Sequence, residues 1–236
     1  MAKVVILSGA GISAESGIST FRDSGGLWDQ YDVSVICNHD SLEKNEALTI
    51  EFYDKRRSDI EDKKPNQAHK TIAKLKKKFK NEIAVLTQNV DDLFEKAGLE
   101  KGELVHLHGY LPELRCRDNS CDSTYEIGYD AQKSFHDGKC PKCGEKLRPN
   151  IVFFGEMAPE YERFNYEIEN CEMLVVIGTS GNVIGVNSLA AFVEHSILNN
   201  LEPSEAIEES LFSKVIYDKA SKAIEEIEQE IEQFLA

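Results

Sequence analysis

The stretch at residues 8–26, SGAGISAESGISTFRDSGG, follows directly on the apolar run at 4–7 and constrains the fold more than any other part of the chain. A short β-branched run that ends in glycines is typical of a buried strand entering a tight turn. There Gly9 can adopt a positive φ, and Gly11 lets the backbone approach a pyrophosphate. The N–H groups of such a turn, followed by a helix, favour an anion. The Gly9-x-Gly11-x-x-Ala14 spacing therefore fits a loose dinucleotide-binding fingerprint, although two glycines at such a turn also serve packing alone.

The size and composition of the chain restrict the class of protein further. With 236 residues, the chain can bury one full α/β core plus a small insertion. A formal net charge of −15 disfavours broad nucleic-acid binding, because phosphates are repelled. No apolar stretch approaches the roughly 20 residues that span a bilayer, and the N-terminal apolar run is too short for a signal peptide. We therefore expect a cytoplasmic protein that binds neither membranes nor a specific nucleic acid.

Strand and helix signals alternate along the chain. Buried strands are predicted over 4–8, 82–87 and 173–179, since each is a short and largely apolar run. Helices are predicted over 42–60 and 68–79 and near the C-terminus. Strands separated by helices predict a parallel sheet with helices on both faces. The apolar residues that mark the helices are Leu42, Ala47, Ile50, Tyr53, Ala68, Ile72, Leu75, Phe79, Ile224, Ile227, Ile231 and Phe234.

Two pairs of cysteines about twenty residues apart indicate a metal site. Their spacing suits a tetrahedral thiolate cage around zinc, and the alternative is two unrelated buried pairs. Four thiolate ligands leave no open position for water, so we expect a structural role for one zinc ion per chain. Cys37 and Cys171 are then ordinary thiols. The four predicted ligands are Cys116, Cys121, Cys140 and Cys143.

Polar residues follow the second predicted strand, at the edge where open α/β sheets bind ligands. These residues are Gln88-Asn89-Val90-Asp91, and on their own they equally fit a helix cap made by Asp91. Farther on, Val105-His106-Leu107-His108-Gly109 places two histidines on opposite sides of the chain if the segment is extended.

Taken in order, these motifs resemble the sirtuins, the NAD-dependent protein-lysine deacylases, over essentially the whole chain. The resemblance begins with the glycine turn and its continuation, and it includes the four cysteines. The other matching segments are Glu15-Ser16-Gly17-Ile18, Phe21-Arg22-Asp23, Gln88-Asn89-Val90-Asp91, His106-Leu107-His108-Gly109, Ile151-Val152-Phe153-Phe154-Gly155-Glu156, Gly178-Thr179-Ser180 and Asn200-Leu201-Glu202.

The resemblance implies a fold and a domain organisation. It predicts a single sirtuin-type catalytic unit over 1–236, in which a Rossmann-like parallel sheet has helices on both faces and carries a small inserted zinc-ribbon domain. The large domain is expected to comprise about 1–30, 80–112 and 150–236. The small domain is expected from a helical insertion at about 31–79 and the zinc module at about 113–149.

The resemblance also implies a mechanism in which NAD is consumed as a co-substrate. The acyl-lysine oxygen attacks C1′ of the nicotinamide ribose, and the products are free lysine, nicotinamide and 2′-O-acyl-ADP-ribose. His108 is expected to act as the general base on a ribose hydroxyl. Asn89 is expected to orient the ribose and a water, and Asp91 to hold the carboxamide. The residues expected to bind NAD are Gly9, Ala10, Gly11, Ile12, Glu15, Phe21, Arg22, Trp28, Gln88, Asn89, Val90, Asp91, Gly178, Thr179, Ser180, Asn200, Leu201, Glu202 and Ala220.

A Tyr-x-x-Arg pair on a predicted helix bears on which acyl group is removed. Tyr53 and Arg56 are three residues apart and project from one face. They resemble the pair that marks the bacterial sirtuin subclass acting on succinyl- and malonyl-lysine, since a guanidinium and a phenol hydroxyl can grip a carboxylate. The alternative is a packed tyrosine beside a solvated arginine. The segment expected to clamp the substrate comprises Val152, Phe153, Phe154, Gly155 and Glu156.

Some positions depart from the pattern common in the family. Asn150, Phe153 and Gly185 stand where histidine, tryptophan and proline are usual, and the segment 183–200 is shorter, which predicts a trimmed helix. The expected activity is removal of succinyl, malonyl and acetyl groups from lysines of partner proteins by a monomer. The alternatives are protein mono-ADP-ribosyl transfer on the same scaffold and a non-catalytic NAD-sensing zinc-ribbon module.

Overall fold

The computed structural model of the protein describes residues 2–20 and 32–236. Within these residues, six strands form a parallel sheet and three form a small antiparallel sheet. The strands, in chain order, are β1 (Val4–Ser8), β2 (Ile83–Thr87), β3 (Leu104–His106), β4 (Gly109–Cys116), β5 (Thr124–Glu126), β6 (Leu147–Ile151), β7 (Met173–Ile177), β8 (His195–Asn200) and β9 (Lys214–Tyr217).

Helices connect the strands of the parallel sheet. The two longest, α4 and α9, have 15 residues each, and no helix in the described ranges is long and apolar enough to cross a bilayer. The helices are α1 (Gly11–Ala14), α2 (Val33–Ile36), α3 (Ser41–Lys44), α4 (Glu46–Ile60), α5 (Gln67–Phe79), α6 (Leu93–Lys96), α7 (Tyr161–Glu169), α8 (Val186–Ala190) and α9 (Ala220–Phe234).

The parallel sheet has the strand order β3-β2-β1-β7-β8-β9. The chain lays down β1, β2 and β3 toward one edge and then returns to place β7 on the other side of β1. The direction of progress therefore reverses between β1 and β7. Such a reversal opens a crevice at the carboxyl ends of the two strands, which is where sheets of this kind bind ligands.

Both faces of this sheet are covered, because its strands are apolar on both sides. Val4 and Ile6 of β1 lie in one core with α5 and α9, whereas Val5 and Leu7 lie in a second core with α7 and α8. The predicted parallel sheet with helices on both faces is thus confirmed. The predicted C-terminal stripe is also found, since Ile224, Ile227 and Ile231 of α9 are buried against the sheet.

The helix predicted over 42–60 is two helices in the structure. The break lies at Asn45, whose φ of −132° is not helical. The buried face of α4 also differs from the prediction, since Ala47 is exposed and Ile50 is only partly buried. The buried side chains are instead Thr49, Phe52, Tyr53, Arg57 and Ile60. The apolar pattern alone predicted the wrong buried face, because a charged residue, Arg57, is fully buried on the face that packs inward.

Helix α5 packs on the parallel sheet, although its residues fall within the range 31–79 that the sequence assigned to the small domain. Ala68, Ile72 and Leu75 belong to the core that also contains β1 and α9. On its outer side, lysines pair with glutamates of the acidic C-terminal helix: Lys74 with Glu228 at 2.9 Å and Lys78 with Glu232 at 2.7 Å. We therefore group α5 with the parallel sheet and restrict the helical insertion to the segment that ends with α4.

The small sheet has the order β5-β4-β6 and positions the four cysteines. Cys116 is the last residue of β4, and the other three lie in the loops that flank β5 and β6. The four sulfur atoms lie within 4.8 Å of one another, with 3.4 Å between Cys116 and Cys143 and 3.8 Å between Cys121 and Cys140. A tetrahedral zinc site with Zn–S bonds of about 2.3 Å separates its sulfurs by about 3.8 Å, so the cluster fits a structural zinc ion.

Arg57 joins the helical insertion to the small sheet. Its side chain is 0% exposed, and its guanidinium donates to the carboxylate of Asp54 at 2.6 Å and to the carbonyls of Leu111 at 2.9 Å and Asp130 at 3.2 Å. Asp54 also accepts from the backbone N–H of Gln132. A buried charge that satisfies acceptors on three segments fixes their relative position.

We predict that the purified protein contains one zinc ion per chain. Cys143→Ser should abolish stoichiometric zinc and lower the melting temperature by about 10 °C or more, because the folding free energy supplied by the metal is lost. Metal content is measured by elemental analysis and stability by calorimetry. Cys171→Ala, a thiol outside the cluster, serves as the control and should retain zinc. Zinc-free wild-type protein that melts cooperatively would contradict the prediction.

A second prediction concerns Arg57. Arg57→Met should lower the free energy of unfolding by about 3 kcal/mol, because it leaves the partly buried carboxylate of Asp54 and two carbonyls without their partner. The matched control is Arg56→Met, one residue earlier on the same helix. Arg56 forms no hydrogen bond or ion pair with the described residues, so this change should cost less than about 1 kcal/mol. Urea denaturation measures both, and equal losses would show that Arg57 has no special structural role.

Candidate functional site

The crevice between β1 and β7 is formed by two glycine turns in direct contact. The N–H of Gly9 donates to Ile177 at 2.9 Å, and the N–H of Gly11 donates to Gly178 at 2.8 Å. A Cβ atom at Gly9 or Gly11 would lie 2.7 Å from backbone atoms of Gly178, so no other residue fits. Gly178 itself has a φ of +66°, whereas Gly9 does not adopt the positive φ expected from the sequence. Gly9 is required for close approach instead.

The backbone of this turn remains open to a ligand at one point. Within the described residues, the N–H of Ala10 makes no hydrogen bond, while those of Ile12 and Ser13 are already bonded to the turn itself. The side chain of Ile12 is fully buried in the core of the sheet. Any contact of Ile12 with NAD must therefore come from its backbone, and Ala10 offers the free donor that an anion needs.

Four of the predicted NAD-binding residues meet at the ends of β2, β7 and β8. The side chain of Gln88 donates to Thr179 Oγ1 at 3.1 Å, and the side chain of Asn200 donates to the Thr179 carbonyl at 2.9 Å. The Ser180 carbonyl accepts from Ser204 at 2.8 Å. The next two predicted residues, Leu201 and Glu202, are exposed, with Leu201 at 68%.

Glu15 and Ala220 lie together at the start of the C-terminal helix. The carboxylate of Glu15 accepts from the backbone N–H of Ser221 at 2.9 Å and from its hydroxyl at 2.7 Å. Ala220, the first residue of α9, is buried beside this contact. The carboxylate thus satisfies a free N–H of the first helical turn, where a negative charge is stabilised. Glu15 therefore links the glycine turn to α9.

Ser13 connects the two predicted catalytic residues that follow β2. Its hydroxyl donates to Asp91 Oδ2 at 2.9 Å and accepts from the side-chain amide of Asn89 at 3.0 Å. Asp91 also accepts from the N–H of Leu93 at 3.1 Å. All three polar side chains are buried, and burial raises the pKa of Asp91, although the hydrogen bonds from Leu93 and Ser13 oppose this rise.

His69 completes this network from α5. Its Nε2 lies 3.4 Å from the Ser13 oxygen, and its Nδ1 has no hydrogen-bond partner among the described residues. Because the Ser13 proton is used by Asp91, Nε2 must carry the proton of the neutral ring. Burial lowers the pKa of His69 to about 3, so it stays neutral.

His108, the predicted general base, has the tautomer that this role needs. Its Nδ1 lies 3.1 Å from the Gln88 carbonyl, which can only accept, so Nδ1 carries the proton. Its Nε2 therefore presents a lone pair, and the hydroxyl of Tyr161 lies 3.3 Å from it. Burial lowers the pKa of His108, partly offset by the bond to Gln88, so the ring is neutral near pH 7.

His106 contacts a different set of residues from His108. Its Nδ1 lies 2.8 Å from the Asn89 carbonyl and its Nε2 lies 2.8 Å from Glu95 Oε1. Its ring also packs on Tyr110, with 4.8 Å between the centroids. His106 therefore turns toward α6, away from the hydroxyl of Tyr161 on α7.

Tyr53 and Arg56 project from α4, and Arg56 lies near Asp91. The Tyr53 hydroxyl donates to the Cys37 sulfur at 3.4 Å, and its ring packs on Phe153 with 5.5 Å between the centroids. Burial lowers the pKa of Arg56, while the negative charge of Asp91 opposes this change more than any other group. Arg56 forms no hydrogen bond or ion pair within the described residues, in contrast to Arg57.

The segment predicted to clamp the substrate runs between His108 and Cys37. The N–H of Val152 donates to the His108 carbonyl, and the N–H of Phe154 donates to the Cys37 carbonyl. Phe153 is buried, whereas Phe154 is 51% exposed. This segment therefore crosses from the proposed base to the neighbours of Tyr53.

Glu156 is engaged within the protein itself. Its carboxylate pairs with Arg148 and Arg115 and accepts from the backbone N–H of Phe153 at 2.9 Å. Burial opposes ionisation, but these partners, Arg148 above all, lower the pKa of Glu156. The side chain of Glu156 therefore has a structural role, and the substrate contact predicted for this residue remains a prediction. Gly155 beside it adopts a φ of +91°, which closes the turn.

Three predicted site residues lie outside the described part of the chain, and four residues that contact the site were not predicted. Phe21, Arg22 and Trp28 fall in the range 21–31, outside the described residues. Sequence reasoning missed four residues that hold the site together: Ser13, His69, Glu95 and Tyr161. Ser13 lies within the glycine motif and is the only one of them that a sequence signal could have identified. The others reach the site only through folding, over 11 to 56 positions of chain.

Comparison with known proteins gives a consistent result. The sequence profile of the Sir2 family matches residues 9–185. An NAD-dependent protein deacylase of Campylobacter jejuni is 44% identical over 236 residues, which are 100% of this chain and 98% of that protein. An NAD-dependent protein deacylase of Helicobacter hepaticus is 42% identical over 99% of each chain.

The fold agrees with this assignment. A crystal structure of a Sir2 homologue in complex with NAD superposes with a TM-score of 0.83, at 34% identity, over 99% of this chain and 90% of that one. The glycine turns, the histidine strand and the four cysteines follow one another here in the order that the family resemblance requires. With a match of this extent in both sequence and fold, the chain belongs to the Sir2 family.

Proposed function

We propose that this protein is an NAD-dependent protein-lysine deacylase, and that it prefers acyl groups that end in a carboxylate, such as succinyl and malonyl. The observation that carries the acyl preference is the position of a half-buried arginine that no described residue pairs, near the loop that holds Asn89 and Asp91. Arg56 interacts electrostatically with Asp91 and lies on the helix of Tyr53, yet no described residue pairs with it. A desolvated cation without a partner is costly unless a ligand supplies the negative charge.

NAD fits the crevice between the two glycine turns. The free N–H of Ala10 suits a phosphate oxygen, and the glycines allow the backbone to be approached closely. Gln88, Thr179, Ser180 and Asn200 supply polar groups at the same edge of the sheet. Leu201, Glu202 and Ala220 are assigned to the adenosine side on the family resemblance. When bound, NAD supplies an electrophilic ribose carbon, because its bond to nicotinamide can break.

His108 is proposed to act as the general base on a ribose hydroxyl. Its Nε2 is unprotonated, and the ring is held by the Gln88 carbonyl, so it can take a proton without turning. The hydroxyl of Tyr161 lies 3.3 Å from the same nitrogen, where it can donate to the lone pair until a ribose hydroxyl takes its place. A buried neutral imidazole is a suitable base near pH 7.

Asn89 is proposed to orient the nicotinamide ribose and a water, and Asp91 to hold the nicotinamide carboxamide. Ser13 bonds to both side chains, and it thereby fixes which polar atoms remain for the ligand. The second oxygen of Asp91 is used by Leu93, so the carboxylate has little freedom to rotate. This preorganisation lets the two residues orient the ligand without a further entropic cost.

The acyl-lysine is proposed to enter along the segment 152–156. Because this segment bonds to the carbonyls of His108 and Cys37, a substrate that pairs with it approaches the base at one end and Tyr53 at the other. The thiol of Cys37 is a weak hydrogen-bond acceptor, so the Tyr53 hydroxyl can turn to a carboxylate at little cost. Together with Arg56, it would grip the end of the acyl chain.

One experiment tests the proposed function directly. Nicotinamide release from NAD is measured with acetyl-, malonyl- and succinyl-lysine peptides of identical sequence. Release that depends on the acylated peptide, together with the mass of the deacylated product, supports deacylation. Transfer of ADP-ribose to the peptide would instead increase its mass and would favour mono-ADP-ribosyl transfer. Release with none of the peptides would exclude both activities.

We predict that His108→Ala lowers kcat by about a hundredfold or more while NAD binding and the melting temperature stay near their wild-type values. The wild-type rate should rise with pH as His108 loses its proton. Because burial lowers this pKa, the midpoint of the rise should lie below about pH 6.5, the ordinary value for histidine. Turnover and isothermal titration with NAD measure the two effects. A variant that retains most of its turnover would rule out His108 as the base.

We predict that Arg56→Met reduces succinyl-lysine turnover by about thirtyfold or more and leaves acetyl-lysine turnover within about threefold. The reason is that deleting one partner of a desolvated charge pair costs about 2–5 kcal/mol. Tyr53→Phe should show the same asymmetry at smaller size, since it removes one neutral hydrogen bond. Both are measured as kcat/KM on matched peptides. Equal losses on the two substrates would mean that Tyr53 and Arg56 are structural.

A further inference from the structure

The two hydrogen bonds of His106 require a particular charge on its ring. Its Nδ1 lies 2.8 Å from a backbone carbonyl and its Nε2 lies 2.8 Å from a carboxylate oxygen. A carbonyl and an ionised carboxylate can only accept, so both ring nitrogens must donate. Only the imidazolium form carries both protons. A neutral ring would satisfy one of these acceptors and place a lone pair against the other.

We propose that His106 is a positioning residue that works as an imidazolium: by donating from both nitrogens it ties the Asn89 carbonyl to Glu95 and so fixes the loop that carries Asn89 and Asp91. The proposal rests on the roles given to Asn89 and Asp91 in the proposed function. His106 is expected to touch neither NAD nor the acyl-lysine, because its ring nitrogens are both taken by the protein.

The hydrogen bonds of the neighbouring peptide groups show how His106 affects the loop that carries Asn89. The two successive carbonyls of the loop, Gln88 and Asn89, are each held by a histidine, His108 and His106 respectively. The orientation of the Asn89 peptide thus depends on His106, and the Asn89 side chain in turn reaches Ser13. If His106 loses a proton, one of its two bonds is lost, and the loop gains freedom where the base and the ribose ligands meet.

The surroundings of His106 stabilise its positive charge. Glu95 faces it from α6, Asp91 from the loop and Tyr110 from β4. The ring is only 13% exposed, and its burial disfavours the charged form. The hydrogen bond and the charge of Glu95, followed by the Asn89 carbonyl and Asp91, outweigh this effect and raise the pKa of His106 above its ordinary value. The ring therefore keeps its second proton to a higher pH than an ordinary histidine does, and it loses this proton as the pH rises further.

The charge state can be measured directly by NMR. Proton–nitrogen spectra of the wild-type protein are recorded from about pH 6 to 9, and the His106 ring is assigned by the signals missing in His106→Gln. We expect most His106 rings to carry protons on both nitrogens at about pH 6.5, the ordinary pKa of histidine, at which an unperturbed ring is half deprotonated. A ring with one protonated nitrogen at that pH would overturn the proposal, whatever the activity of the enzyme.

The effect on catalysis is measured with Glu95→Gln, which keeps the shape and an acceptor but removes the charge. In the wild-type protein, kcat/KM for NAD should decrease at alkaline pH as His106 loses its proton. Without the charge of Glu95, this decrease should begin at a pH lower by about one unit or more. At pH values below the decrease, the activity of the variant should stay within about twofold of wild type. Glu100→Gln makes the same change in charge at an exposed position nearby and should leave the pH profile unchanged. If Glu95 only stabilised the fold, its substitution would lower kcat/KM at every pH without changing the pH at which kcat/KM decreases.

The outcomes separate this proposal from the proposed function. A doubly protonated His106 in a protein without deacylase activity would contradict the proposed function, but not the charge state of the ring. If Glu95→Gln does not change the pH at which kcat/KM for NAD decreases, the positioning role of His106 is overturned, even if deacylation is efficient.

Discussion

The rest of the structure depends on the close contact between two backbone turns at the centre of the sheet. Gly9 and Gly11 touch Gly178 at distances that exclude any side chain. This contact lets β1 and β7 run side by side to their ends, so that helix α1 begins directly above the sheet. Ser13 then lies in that helix at the point where it reaches Asn89 and Asp91 from the next strand. A single methyl group at Gly11 would displace the helix, and the hydrogen-bond network with it.

The histidines of the candidate site have different neighbours. His69 is buried with no charged partner among the described residues and stays neutral, as does His108 beside a carbonyl and a tyrosine. His106 has a carboxylate for a neighbour, and we infer that it is the one that carries a positive charge. Three histidines within one crevice thus differ in protonation because their neighbours differ, and not because their exposure does. Among the arginines the same contrast holds, since Arg57 has three acceptors within the protein and the adjacent Arg56 has none in the described part of the chain.

Features set by local pattern were predictable from the sequence. The strand at residues 4–8, the C-terminal stripe of isoleucines and the four-cysteine cluster all follow from short-range periodicity or spacing. What could not be predicted depends on partners distant in the chain. The polar residue Arg57 occupies a core position because Leu111 and Asp130 supply its acceptors, and Glu156 turns inward because Arg148 and Arg115 are there. Such contacts arise only once the tertiary fold exists.

The position of α9 has a consequence for how the protein is made. This helix spans residues 220–234, yet it packs in one core with β1 and α5, which are made much earlier. Its glutamates meet lysines of α5 that precede them by 154 positions. During synthesis, the N-terminal strands of the sheet therefore leave the ribosome before α9 exists, and their apolar face is not fully covered until that helix has been made. Pairings over such a long loop form slowly. The nascent chain is thus prone to aggregation until α9 has been synthesised and has packed, and folding chaperones can act in that interval.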